Sequence, residues 1–402
     1  MSMITKFRNR VEKRIAYLIF RLFYRQNTKL VFFEAYNGEE NGYSCNPKAI
    51  YEKMLQEEKY RDFHFVWSFW EPEKFHFLTQ NPRTTLVKKG SYEYLKICAK
   101  SAYLFTNTSL PSYIVPNRHQ KLIYLWHGKP LKCIGCGIQG EGDGKRSKAK
   151  INLDYKSSGR RLSILLSPAP IFTDIMCDAY ALTPQKRKQA LLEMGYPRND
   201  FLFYYTADDV KRVKEKLKIP SEKKVILYAP TWRPYNWLGG NHFQHKEVLD
   251  YTKLYQELGK ECVILCRLHH LEKGSVHYKE FEGFLYDVTD YPEVNELYII
   301  SDLMISDYSG TIFDYANLKR PIVLYMYDKE QYIHDANGLN FPLEVLPGKI
   351  VETQEELTKA VEIELEQFVY NKQYKTFNKT FNCLEGENSA GKILEAVIEE
   401  NI

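Results

Sequence analysis

The chain has 402 residues, 44% of them apolar and 27% charged, which excludes a disordered protein and exceeds what one ordinary core takes up, so two domains are expected. A formal net charge of +5 is too small to point to nucleic acid, although it suits a phosphate-rich substrate or an anionic membrane surface. The eight cysteines are scattered and mostly lie in apolar segments, which argues for a reducing compartment and against a disulfide scaffold.

From Ile4 to Arg25, apolar residues at helical spacing (Ile4, Phe7, Val11, Ile15, Leu18, Leu22) alternate with Lys6, Arg8, Arg10, Lys13, Arg14, Arg21 and Arg25. That pattern predicts a basic amphipathic helix. Its longest uncharged run, Ile15 to Phe20, is far short of the roughly 20 apolar residues that span a bilayer, so neither a transmembrane helix nor a signal peptide is expected. The helix either lies on an anionic leaflet or packs on its own domain.

Apolar runs at Leu30–Glu34, Phe63–Phe69, Thr84–Val87, Ala102–Thr106 and Leu122–Trp126 read as buried strands. Helical patterns separate them, such as Asn46–Met54, with asparagine as cap and Pro47 in the first turn, and Tyr92–Lys100. Alternation of this kind predicts βαβ units and a parallel sheet. Residues 137 to 160 are polar and read as a long loop. Strands resume at Leu162–Leu166, and a second series runs through Val225–Tyr228, Cys262–Leu268, Phe284–Asp287, Leu303–Ser306 and Ile322–Tyr325. The expected fold is therefore α/β, with two Rossmann-like, doubly wound domains of residues 29–200 and 201–402 facing a cleft, preceded by the helix of residues 1–28.

In a parallel sheet the loops leaving the carboxyl ends of the strands gather at one rim, where ligands bind. His127-Gly128 follows a strand directly, and a neutral imidazole there can accept a proton from an attacking hydroxyl. Taken alone, a histidine in that place is more often a core or loop-capping residue. Three more strand ends carry polar groups: Pro230-Thr231-Trp232-Arg233, Arg267-Leu268-His269-His270 and Asp307-Tyr308-Ser309-Gly310-Thr311, the last opening a helix. A helix start offers free N–H groups to a diphosphate, and Arg267 and His269 supply positive charge. A plain N-cap accounts for Asp307 or Ser309, but not for the Arg and His at the neighbouring end. Neither GxxxxGK[ST] nor GxGxxG stands at a suitable strand end, which argues against an ATPase or a dinucleotide oxidoreductase. Cys133 and Cys136 have the spacing of a metal pair without a matching second pair, so they read as ordinary thiols and no metal is expected.

Taken together and in this order, WHGKPLK (126–132), GYPRND (195–200), ILYAPTWR (226–233), RLHHL (267–271) and ISDYSGTIFDYANLKRPIVLYMYD (305–328) resemble the CDP-glycerol glycerophosphotransferase family, which builds wall teichoic acids and related polymers in bacteria. The resemblance implies a GT-B fold with the active site between its two domains. It implies metal-independent transfer of glycerol phosphate from CDP-glycerol to a lipid-linked acceptor, releasing CMP; together with the basic helix, the expectation is a peripheral enzyme at the cytoplasmic face of the membrane. Donor-binding positions carry over to Gly128, Lys129, Pro130, Leu131, Arg198, Pro230, Thr231, Arg267, Leu268, His269, Ser309, Gly310 and Asp314, with Arg233 and Thr311 added from the strand ends. His127 is the expected base, while His269 is expected to act on the diphosphate.

Two positions depart from the family pattern, which usually has threonine where Lys129 stands and a second serine where Gly310 stands. Lys129 is thereby expected to add charge near the donor phosphates. The chain starts with only the basic helix rather than the large extension of the long polymerases, a size closer to priming enzymes and capsule-type transferases. A CDP-ribitol donor, a capsular acceptor, a nucleotide-sugar glycosyltransferase of the same fold and a non-catalytic binding module stay open as alternatives. So does the oligomeric state.

Overall fold

The computed structural model describes residues 3–39, 42–142, 146–233, 237–239, 242–243, 247–268, 278–335 and 337–399. The chain forms two compact units. Residues 1–127, 153–200 and 388–402 make up the first, and residues 128–152 with 201–387 make up the second. The chain therefore crosses between units not only near residue 200 but also at residues 127, 152 and 387.

The first unit is built on β1 (Asn27–Glu34), β2 (His64–Phe69), β3 (Thr84–Lys88), β4 (Ser101–Thr106), β5 (Lys121–Tyr124), β6 (Ile164–Ser167) and β7 (Leu191–Glu193). They form a parallel sheet of order β3-β2-β1-β4-β5-β6-β7. The last five residues of β1 are all buried, as expected when both faces of a parallel sheet are covered. The second unit carries β8 (Lys224–Tyr228), a short antiparallel pair β9 (Trp237–Gly239) and β10 (His242–Phe243), then β11 (Cys262–Cys266), β12 (Leu285–Asp287), β13 (Leu303–Ser306), β14 (Ile322–Tyr325) and β15 (Lys349–Val351). Its main sheet is parallel with order β12-β11-β8-β13-β14-β15.

The basic helix is α1 (Met3–Phe23). One face packs on the first unit: Tyr17 is buried, and its hydroxyl and the Arg21 guanidinium both donate to the Val115 carbonyl, at 3.3 and 2.8 Å. The opposite face leaves Val11, Ile15, Leu18 and Ile19 exposed, and Leu22 and Phe23 each 81% exposed. Among the described residues no helix is long and apolar enough to cross a membrane.

Two local expectations differ. Helix α2 (Cys45–Gln56) takes Ser44 as its N-cap rather than Asn46, because the Asn46 amide is drawn to another strand end. The segment expected to be a loop from 137 to 160 becomes helical at Lys148, giving α3 (Tyr92–Lys100) a later neighbour in sequence, α4 (Lys148–Arg161). Its sequence is too polar to announce a helix, and tertiary contacts decide instead. The Arg161 guanidinium donates to the carbonyls of Leu110, Pro111 and Ile114, and Gly159 lets the helix approach so closely that a Cβ there would sit 2.2 Å from the Tyr180 carbonyl oxygen.

Candidate active site

In the first unit, strand β5 ends at Tyr124 and the chain turns sharply before His127. Trp126 is buried with φ 56°, a left-handed conformation that costs a non-glycine residue on the order of 1 kcal/mol or more unless its surroundings hold it. Buried Asn46 supplies that hold: its side-chain N–H₂ donates to the carbonyls of Leu125 and Trp126, each at 3.0 Å. The Asn46 oxygen accepts from the Arg198 backbone N–H at 3.2 Å, and the Arg198 guanidinium donates to the His127 carbonyl at 2.8 Å and reaches Cys45 Sγ at 3.1 Å.

The His127 ring lies 4.4 Å from the Trp126 ring and 5.9 Å from Tyr36, centroid to centroid. Its Nδ1 is 2.8 Å from the carbonyl oxygen of Asn107, which directly follows β4. A carbonyl only accepts, so this contact places the proton on Nδ1 and leaves the lone pair on Nε2. Burial pushes the imidazole pKa down to about 4, the bond to Asn107 opposing and the positive charge of Arg198 adding to the fall. At neutral pH the ring is therefore uncharged with Nε2 as an acceptor. A hydroxyl within reach of that atom can give up its proton to it.

In the second unit the ends of β8, β13 and β14 are joined by a closed set of charges. Asp307 accepts from the Thr231 backbone N–H at 2.8 and 3.1 Å and from the Arg233 guanidinium at 2.8 Å. Arg233 also grips Asp328 through two nitrogens, at 2.6 and 3.1 Å, and its guanidinium sits over the rings of Tyr308, Tyr327 and Tyr332. Burial works against its charge, but Asp307 and Asp328 outweigh it and hold its pKa up. With 3% of its surface exposed, Arg233 fixes these loops and is not presented to a ligand, contrary to the expectation that it binds the donor.

Lys129 departs from expectation in the same way. It is buried, its ammonium donates to Asn382 Oδ1 at 2.6 Å and it forms a buried ion pair with Glu385. Its charge is spent inside the unit rather than offered to phosphates. The backbone of the segment does approach the loop after β13: a Cβ on Gly310 would lie 3.1 Å from the Lys129 carbonyl oxygen. Leu131 is buried, and Asn340 donates from its side chain to the carbonyl of Pro130 at 2.9 Å.

The remaining expected residues fall as follows. Pro230 and Thr231 leave β8, and the Thr231 hydroxyl is buried without a hydrogen-bond partner among the described residues. Arg267 leaves β11 and donates to the carbonyls of Val288 and Tyr291, at 3.1 and 2.6 Å, while Leu268 is buried with its N–H on the Thr289 hydroxyl. Ser309 accepts from the N–H and hydroxyl of Thr311, at 3.3 and 2.9 Å, at the start of the helix Thr311–Tyr315, in which Asp314 is buried. His269 lies outside the described residues. His127 and Arg198 thus meet in the first unit, while Thr231, Arg233 and the loop at Ser309 and Gly310 meet in the second.

Asn46, Asn107 and Asp328 also serve the site, although no motif marks them. Asn107 and Asp328 stand just past β4 and β14, so the rule that singled out His127 also reaches them. Asn46 looks like a helix cap and carries no signal of its second task. Cys133 and Cys136 are not joined in a disulfide, and their thiols donate to different acceptors, Asn340 Oδ1 at 3.4 Å and the Asn152 carbonyl at 3.8 Å.

Comparison with known proteins then adds a family to this geometry. Residues 16–399 match the family model described as CDP-glycerol:poly(glycerophosphate) glycerophosphotransferase. The chain is 31% identical over 389 residues to a teichoic acid poly(glycerol phosphate) polymerase of Bacillus spizizenii, with 96% of each chain covered. It is also 31% identical to a teichoic acid glycerol-phosphate transferase of Staphylococcus aureus, covering 98% of this chain and 100% of that one. Against two further poly(glycerol phosphate) polymerases it spans about half their length. Among solved structures, the wall teichoic acid polymerase TagF superposes with a TM-score of 0.84 at 28% identity, with 100% of both chains covered. The two parallel-sheet units are those of the GT-B fold.

Proposed function

We infer that this chain, which belongs to the CDP-glycerol:poly(glycerophosphate) glycerophosphotransferase family, moves glycerol phosphate from CDP-glycerol to a hydroxyl of an acceptor in teichoic acid or related cell-surface polymer synthesis. His127 is the base. The acceptor oxygen attacks the β-phosphorus of the donor, its proton passes to Nε2, the bond from that phosphorus to the bridging oxygen breaks, and CMP leaves with the electron pair. The observation that carries this reading is the bond from Nδ1 of His127 to the Asn107 carbonyl, which leaves Nε2 unprotonated in a ring that is neutral at pH 7.

The donor diphosphate is held by Ser309, Thr311 and the backbone N–H groups beside them, with Arg267 and His269 supplying charge in place of a metal. Arg198 acts through the His127 carbonyl and is a positioning residue. The acceptor is a lipid-linked saccharide or polymer. Helix α1 brings the protein to the cytoplasmic membrane face: its exposed Val11, Ile15, Leu18, Leu22 and Phe23 enter the lipid while exposed Arg8, Arg10, Arg14 and Arg25 meet anionic headgroups, each for about 1 kcal/mol.

The test is nucleotide release. With a lipid-linked acceptor present, CMP is expected from CDP-glycerol and not from a UDP-sugar, and it is expected to vanish in His127→Ala while donor binding persists. CMP from CDP-ribitol alone changes the donor and keeps the chemistry; a nucleoside diphosphate released from a UDP-sugar replaces the reading by sugar transfer. His269→Ala is expected to weaken donor binding itself. Sedimentation with phosphatidylglycerol vesicles, lost when residues 1–26 are removed, tests the role of α1.

A further inference from the structure

The segment from Gly128 to Lys132 contains two lysines with opposite fates. Lys129 is spent on Glu385 and Asn382. Lys132 has a rigid backbone: its carbonyl accepts from the Asn340 side chain at 2.8 Å, Asn340 N–H donates to Leu131 at 2.8 Å, and Lys132 bridges to Leu339. Its side chain, by contrast, ends with the ammonium 5.3 Å from the centre of the Tyr332 ring and with no hydrogen bond or ion pair to any described residue.

Among the described residues, the carboxylate that acts on it, Asp307, is already taken. Arg233 pairs with both Asp307 and Asp328, and no contact closes between either of them and Lys132. Burial pushes the Lys132 pKa down to about 8, Asp307 opposing and Arg233 adding to the fall. A half-buried ammonium that donates to none of the described residues costs free energy that a ligand rich in acceptor oxygens recovers. The loop it stands beside, from Asp307 to Thr311, is the one assigned to the donor diphosphate.

We propose that Lys132 is an anion-binding residue of the second unit, its ammonium holding a phosphate group of the nucleotide donor together with the hydroxyls of Ser309 and Thr311. The identity of that ligand rests on the function inferred above; the anion site does not.

Calorimetric titration of the full chain with CDP-glycerol, inorganic pyrophosphate and cytidine separates the two. Lys132→Met is expected to weaken CDP-glycerol and pyrophosphate by about tenfold to a hundredfold, the usual worth of a charge-assisted hydrogen bond, and to leave cytidine unchanged. Lys132→Arg is expected to keep most of the affinity. Lys132→Gln serves in place of the methionine variant should that one melt below the assay temperature. Wild-type affinity for CDP-glycerol in the neutral variant overturns the proposal, and so does an equal loss for cytidine, which marks a collapsed pocket. Lys132-dependent binding of pyrophosphate by a wild type that ignores CDP-glycerol keeps the anion site and discards the donor reading.

Discussion

At the end of β5 the first unit surrounds the His127 ring with the Asn107 carbonyl and two aromatic rings, and sets the Arg198 guanidinium on the His127 carbonyl. At the ends of β8, β13 and β14 the second unit instead closes Arg233, Asp307 and Asp328 into a buried charged net. Neutral surroundings suit a group that must stay uncharged until it takes a proton. A charged net suits loops that must keep their shape when a polyanion arrives, but it makes those loops depend on every member being present.

The charged net of the second unit is the more sensitive to substitution. Arg233→Met removes the cation shared by two buried carboxylates, and a loss of about 3–5 kcal/mol in unfolding free energy is expected, read from urea unfolding. Lys129→Met strands Glu385 in the same way, with a loss of about 3 kcal/mol expected; the double variant with Glu385→Met recovers most of it, since two well-packed apolar residues replace a buried pair at little cost.

The first unit answers more mildly. Asn46→Ala removes two bonds to the carbonyls of Leu125 and Trp126, an expected loss of about 1–3 kcal/mol, and it releases the strained turn before His127. Turnover in the CMP assay is expected to fall more than donor affinity, which no purely global loss of stability produces.

The smallest effect sharpens the contrast through pH. His127 has a folded pKa of about 4 against an ordinary 6.5, so as pH falls the unfolded chain binds a proton first. Its share of stability is complete above pH 6.5 and drains away between 6.5 and 4. The acid limb of activity is expected near pH 4 in the free enzyme rather than near 6.5, measured as the rate of CMP release at low donor concentration. A limb at 6.5 would mean that the ring is solvated.

Much of this was legible beforehand. The strands from β1 to β6 and the main strands of the second unit announce themselves as short apolar runs, because a strand buried on both faces has nowhere to place a polar side chain. His127, Thr231 and Ser309 stand out because polar residues directly after such runs land on the ligand rim. Helix α4 did not announce itself, because Arg161 and Gly159 acquire their reasons only from the carbonyls of other segments. In the sequence Lys129 and Arg233 look like ligand contacts, because a sequence shows a charge without showing what neutralises it.

The alternation of strands and helices, and which residues leave the strand ends, are therefore written in the chain locally. Both follow from local periodicity and from the refusal of a buried strand to carry charge. How those residues are spent depends on partners brought from far along the chain. Asn46 holds a carbonyl 79 residues away, and Lys129 finds Glu385 at a separation of 256. Such partners are chosen by the order in which each sheet sets its strands side by side, and by the free energy of leaving no buried polar group unmatched.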